Sequence, residues 1–77
     1  MKNLLGVNNM RDLKYLPNNI YIYRNKKNMT HEELAEAIGV SVRIIYDYES
    51  GKKKPSLITL FELSKALETT LDSLVSE

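Results

Sequence analysis

The feature that most limits what this chain can fold into is a pair of short amphipathic patterns held only three residues apart, across Gly39-Val40-Ser41. The first begins at Thr30-His31-Glu32-Glu33, a capping box. The threonine hydroxyl accepts from the amide three residues on, and the glutamate reaches back to the threonine amide. Glu32, Glu33 and Glu36 also set negative charge near the positive end of that helix's dipole. Leu34, Ala35 and Ile38 form its apolar stripe, and Gly39 stops it. Ser41 caps the second pattern, which runs to about Glu49 with Ile45 and Tyr48 facing inward. Two helices joined this tightly cross at about 90–120°. Such a crossing needs a small residue where the backbones approach, a residue at ease with positive φ in the turn, and apolar wedges. Ala35, Gly39 and the set Leu34, Ile38, Val40, Ile45 and Tyr48 supply these in turn. The joint spacing carries the information; a lone alanine or glycine carries little.

The remaining punctuation extends the pattern to an all-α chain of five helices. Pro17-Asn18 opens a first helix with Ile20, Tyr23 and Lys27 on one face and Arg24 on the flank. It closes near Asn28, which tolerates the left-handed conformation of a helix end. Pro55-Ser56 opens a fourth, whose Leu57, Leu60, Phe61, Leu63, Ser64 and Leu67 read as a densely buried helix. A fifth short helix follows Thr70, with Leu71, Leu74 and Val75 inward. Residues 1–16 read as an arm, partly disordered or holding a short helix over residues 10–16, ahead of one domain over residues 17–77.

Composition narrows the chemistry. The 77 residues make one small domain, a size at which a core supplies only about 3–5 kcal/mol. There is no cysteine and a single histidine, His31, so disulfides, thiolate sites and histidine metal clusters are excluded. One helix-start histidine without ordered partners makes no hydrolase triad, and Gly51 before three lysines lacks the spacing of a phosphate loop. The chain therefore reads as a non-enzyme with no cofactor and no metal. No stretch approaches the ~20 apolar residues of a membrane span. The start lacks the pattern of a signal peptide, and the expected location is cytoplasmic. Net charge is +1, but residues 1–54 carry +4 and residues 55–77 carry −3. That asymmetry fits a basic face for a polyanion and a separate face for other contacts.

The run Met29-Thr30-His31-Glu32-Glu33-Leu34-Ala35-Glu36-Ala37-Ile38-Gly39-Val40-Ser41, with Ile45, Tyr48-Glu49-Ser50-Gly51-Lys52, Pro55-Ser56-Leu57 and Leu63-Ser64-Lys65-Ala66-Leu67, resembles the phage repressor and Cro type of helix-turn-helix domain, the Xre family. The likeness covers about residues 20–75. It implies a lambda-repressor-like five-helix bundle whose third helix enters the major groove of double-stranded DNA. It also implies a homodimer on an inverted-repeat operator, and hence a bacterial or phage transcriptional regulator that represses by occupancy.

On this resemblance the base-reading residues are Ser41, Val42, Arg43, Tyr46 and Asp47. Arg43 can donate two bonds to guanine, Val42 can meet a thymine methyl and Asp47 can accept from cytosine. Tyr46 suits a phosphate or a sugar, and Ser41 a phosphate. His31 stands where the family carries glutamine, at a position that grips phosphate. Lys52, Lys53 and Lys54 would meet the DNA backbone. Arg24 and Glu49 match an ion pair that ties the first helix to the end of the third, with Arg24 also near phosphate. Ala35, Gly39, Ile45 and Glu49 are structural.

Plainer readings stand beside these. His31 is equally read as an exposed helix start, Lys52 to Lys54 as a solvated loop, and Arg43 as an ordinary surface residue. Val42, Ile44 and Tyr46 make the outer face of the third helix apolar for a DNA reader, and Asp47 adds a negative charge. The competing function is a helix-turn-helix fold that binds a protein partner, as an antitoxin does. A dimer surface is expected at residues 68–74 or in the arm at residues 4–16.

Overall fold

The computed structural model of the chain describes residues 13–77. The rest of the arm, with the start of the helix expected over residues 10–16, lies outside the described residues. Among the described residues there are five helices and no strand: α1 (Leu16–Lys26), α2 (His31–Ile38), α3 (Val42–Ser50), α4 (Leu57–Ala66) and α5 (Leu71–Val75). The expected all-α, five-helix bundle is what the described residues form.

Local chemistry sets nearly every boundary. Thr30 accepts from the Glu33 amide at 3.0 Å and the Glu33 carboxylate accepts from the Thr30 amide at 2.9 Å, completing the capping box of α2. Ser41, Ser56 and Thr70 accept from Ile44, Thr59 and Ser73 at the starts of α3, α4 and α5. The C-termini share one device. After α1 the Met29 amide donates to the Arg24 carbonyl and the Asn28 amide to the Asn25 carbonyl. This is a Schellman closure, and it requires a left-handed residue, here Asn28 at φ 57°. Val40 to Ala35, Lys52 to Asp47 and Thr69 to Ser64 repeat the longer bond after α2, α3 and α4. Gly39 (φ 75°), Gly51 (φ 81°) and Glu68 (φ 55°) take the left-handed position there.

The core gathers Ile20, Leu34, Ala35, Ile45, Tyr48, Leu60, Leu63, Leu67 and Leu74 from all five helices and their ends. α2 packs on α3 and α4; α1 packs on α3 and α5; α4 packs on α5. Leu13 and Leu16 join this core, so it reaches back into residues read as arm. The side chain of Asn19 donates to the carbonyls of Ser73, Leu74 and Ser76, at 3.3, 2.8 and 2.7 Å, fastening the end of α5 to α1.

Two burial expectations are corrected. Leu57 and Phe61 do not enter the core: they are 56% and 50% exposed, beside Ile58 at 74%. α2 and α5 cover only the stripe Leu60, Leu63, Ser64 and Leu67, and the flanking apolar positions are left facing outward. Conversely, Arg24 is buried rather than on a flank, because the buried stripe of α1 runs Leu16, Ile20, Arg24 at four-residue spacing.

A Cβ at Gly39 would meet nothing within 4 Å, so substitution there is resisted by backbone strain alone. Gly39→Ala is expected to lower unfolding free energy by about 1–2 kcal/mol. Gly39→Asn should cost less, because asparagine tolerates φ > 0. Urea denaturation followed by circular dichroism reads both. Leu34→Ala, which empties a fully buried site between α2 and its neighbours, should cost about 2–5 kcal/mol in the same assay.

Candidate nucleic-acid interface

The exposed end of the α2–α3 unit is built around one carboxylate. Arg24 donates through Nε to Glu49 Oε2 at 2.7 Å and through Nη2 to Oε1 at 3.3 Å. Its Nη1 donates to the Met29 carbonyl at 2.8 Å. The two side chains are 6% and 10% exposed, so this is a nearly dry, forked pair joining α1 to the last turn of α3. The guanidinium also lies over the Tyr21 ring, 5.7 Å from its centroid. Among the described residues no buried side-chain nitrogen or oxygen lacks a partner. The expected Arg24–Glu49 pair is thus present, and its burial leaves Arg24 little surface to offer a phosphate.

His31, the first residue of α2, joins the same carboxylate. Its Nε2 lies 3.2 Å from Glu49 Oε1, and its ring stacks on Tyr46 with centroids 4.1 Å apart and planes 22° apart. The histidine side chain is 24% exposed. His31, Tyr46 and Glu49, given three separate roles from the sequence, therefore form one assembly that locks the start of α2 to α3. The available signal was spacing: Tyr46 and Glu49, three apart, share one face of α3.

The leading edge of α3 stands clear of the body. Ser41 is exposed and spends its hydroxyl on the Ile44 amide at 3.4 Å. Arg43 is 75% exposed, with Nε 3.7 Å from the Asp47 carboxylate one turn on, and Asp47 itself is 16% exposed. Tyr46 is half exposed. Val42 and Ile44 are half-buried and pack against the core, so of the three residues read as an exposed apolar face only Tyr46 is outward. Ala35 and Ile45 are buried where the two helices meet. Lys52, Lys53 and Lys54 are exposed in the loop after α3, whose backbone is tied down by Lys52 and Lys53 amides donating to the Asp47 carbonyl at 2.9 and 3.2 Å. Among the described residues no group of acidic or histidine side chains could hold a metal ion. None of the described helices is long and apolar enough to cross a membrane.

A family model described as helix-turn-helix matches residues 20–74, which includes most of α1, all of α2, α3 and α4, and most of α5. The chain belongs to the helix-turn-helix family. The match places this helix-turn-helix protein outside the enzymes, in agreement with the sequence reading. Relatives include the transcriptional activator BcrR of Enterococcus faecalis, 43% identical over 69% of this chain and 26% of its own length. The control protein C.SmaI of Serratia marcescens is 36% identical over 79% of this chain and 73% of its own. The uncharacterized transcriptional regulator y4dJ of Sinorhizobium fredii is 33% identical over 82% of each chain. This helix-turn-helix chain thus spans about a quarter of BcrR and most of the other two. No solved structure matches it significantly.

Because the Arg24–Glu49 pair is nearly dry, deleting one partner leaves the other charge desolvated. Arg24→Met is expected to cost about 3–5 kcal/mol. That is comparable with the whole stability of a domain this size. Glu49→Gln, which keeps an acceptor for the guanidinium, should cost about 1–3 kcal/mol. Thermal unfolding of the two single variants and the double variant measures the coupling.

Proposed function

We propose that this chain is a sequence-specific, double-stranded DNA-binding transcriptional regulator that acts as a homodimer on an inverted-repeat operator. The observation that supports this most is the free leading edge of α3. Arg43 is exposed there beside Ser41, and the exposed lysine loop follows the same helix. A helix presented this way inserts its first turn between the phosphate ridges while lysines flank it. The relatives named as transcriptional regulators favour the same reading.

Within it, Arg43 reads guanine. Its long contact to Asp47 on an exposed surface is weak enough to be exchanged for a base edge. Ser41 and Val42 sit at the groove edge of the same turn. Asp47 acts through Arg43, by orienting it, more than by accepting from cytosine. Tyr46 points its phenol toward the sugar–phosphate wall from a ring braced by His31, and His31 itself approaches phosphate across the start of α2. Lys52, Lys53 and Lys54 neutralise phosphates. Repression is the mode assigned, because occupancy of an operator needs no surface beyond this DNA face. A protein-binding, antitoxin-like use of the same face is disfavoured, since Val42 and Ile44 turn toward the core.

Selection from random duplexes followed by titration at several salt concentrations tests the proposal. An inverted-repeat site with half-sites about 34–36 Å apart is expected. Arg43→Ala should relax discrimination at one base position by about 1–3 kcal/mol. Lys52→Ala with Lys53→Ala should weaken every duplex and reduce the salt slope by about 1.8, at roughly 0.9 per phosphate contact. Binding with no salt dependence, or none to any duplex, contradicts the reading.

A further inference from the structure

His31 is the chain's one histidine, and its two ring nitrogens meet different surroundings. Nε2 lies 3.2 Å from Glu49 Oε1. The stack on Tyr46 fixes the plane of the imidazole, and with it the direction of the remaining nitrogen. Nδ1 makes no hydrogen bond within the described residues, where no buried side-chain nitrogen lacks a partner. Nδ1 is therefore open to solvent, as the 24% exposure of the side chain allows.

A carboxylate accepts hydrogen bonds and donates none. The nitrogen that faces Glu49 must carry a hydrogen, and a neutral imidazole has only one to give. The opposite tautomer would set two acceptors against each other. In the neutral ring Nδ1 is thus a bare lone pair. A phosphate oxygen is also an acceptor only. Neutral His31 has nothing to donate to the phosphate that it approaches in the proposed complex, whereas the imidazolium carries a hydrogen on both nitrogens. We infer that His31 takes up a proton when the chain binds a duplex, so that affinity for DNA rises as pH falls. The inference rests on the proposed function, because the phosphate is the second acceptor.

The charges around the ring agree with that direction. α3 presents the Glu49 carboxylate and the Tyr46 phenol. α1 presents Arg24, which donates twice to Glu49 and offsets its charge. α2 itself adds Glu32 and Glu33 in its first turn, and Glu33 is engaged by the Thr30 amide. In the free chain the ring thus shares its facing carboxylate with a guanidinium. In the complex a phosphate adds negative charge on the open side, which favours the imidazolium over the neutral ring. The complex then binds more protons than the free chain, and lowering the pH strengthens it. Histidine is the side chain whose ordinary titration falls between pH 5 and 8, so one residue accounts for the effect.

Duplex affinity measured by fluorescence anisotropy from about pH 8 to about pH 6, at several salt concentrations, tests the linkage. Wild-type affinity should rise by up to about tenfold per pH unit for each chain bound. The salt slope should steepen by about 0.9 per chain toward the lower pH, because the imidazolium adds a phosphate contact and displaces a counterion. A protonation that only tightened the contact with Glu49 would raise affinity and leave that slope alone. A glutamine amide donates two hydrogens at every pH. His31→Gln should therefore lose the pH dependence and keep one salt slope, while any share of the α-amino group near the top of the window persists in that variant. Nitrogen NMR of the imidazole in the chain without DNA, at about pH 8, should find the hydrogen on Nε2. The wild-type slope and the tautomer need no variant, so they decide the matter even where His31→Gln fails to fold. A hydrogen on Nδ1, or a wild-type salt slope that stays constant across the pH range, overturns the inference. Salt-dependent duplex binding with a flat pH profile strikes the proton linkage and leaves the DNA reading intact. No binding to any duplex at either pH takes down the DNA reading and the linkage with it.

Discussion

The Glu49 carboxylate is the point on which the arrangement turns. It takes two hydrogen bonds from Arg24 and lies against His31, so residues from α1, α2 and α3 meet at one side chain. A steep crossing of two short helices buries little area by itself, and the short turn at Gly39 limits the separation of their ends more than their tilt. The forked ion pair supplies a directional restraint at the far end of α3. With the glycine turn fixing one end and Arg24 the other, α3 is held as a rigid rod whose outer edge faces solvent. Charged groups this dry contribute less to net stability than to choosing one geometry over its neighbours. That is what the proposed fit into a groove would require.

Rigidity is distributed by the same logic around that rod. The ring of His31 against Tyr46 braces the middle of α3 from the start of α2, and the Asp47 carbonyl anchors the first amides of the lysine loop. The side chains proposed to face DNA thus differ in freedom. Tyr46 is stacked, Asp47 is mostly covered, and Arg43 and the lysines extend into solvent on secured backbone. A surface built this way spends little conformational entropy on its frame and leaves it to the long cationic side chains, which the proposed contacts would require to adapt to phosphate and base positions.

Much of this was legible in the residues. Thr30, Ser41 and Gly39 each announce a boundary through chemistry confined to a few neighbours, and the structure realises all three. Asn28 signals the end of α1 in the same way. The end of α4 carried no such signal, because Glu68 takes the left-handed position without being glycine or asparagine. Burial on α4 was misread for a different reason. Apolar spacing at three and four describes a helix with a greasy circumference, but which arc is covered depends on where α2 and α5 lie, and that is a tertiary fact. The convergence of His31, Tyr46 and Glu49 was hidden likewise, since it joins residues up to 18 positions apart through a crossing angle that no local pattern specifies. The resemblance pairs Arg24 with Glu49, but the burial of that pair does not follow from the flank position that helical spacing assigns to Arg24.

The amide of Asn19 divides its two hydrogens among three carbonyls at the end of α5, a helix of five residues. A segment that short has no stability of its own in water, since nucleation is not repaid by so few internal bonds. Its order is therefore borrowed from Asn19 on α1, from the anchor Leu74, and from Leu71 and Val75 packed against the core. The contacts that hold this tail end of the domain are separate from those that join Arg24 and His31 to Glu49. Solvent could invade there, and amide protons exchange, while Glu49 and its partners stay locked.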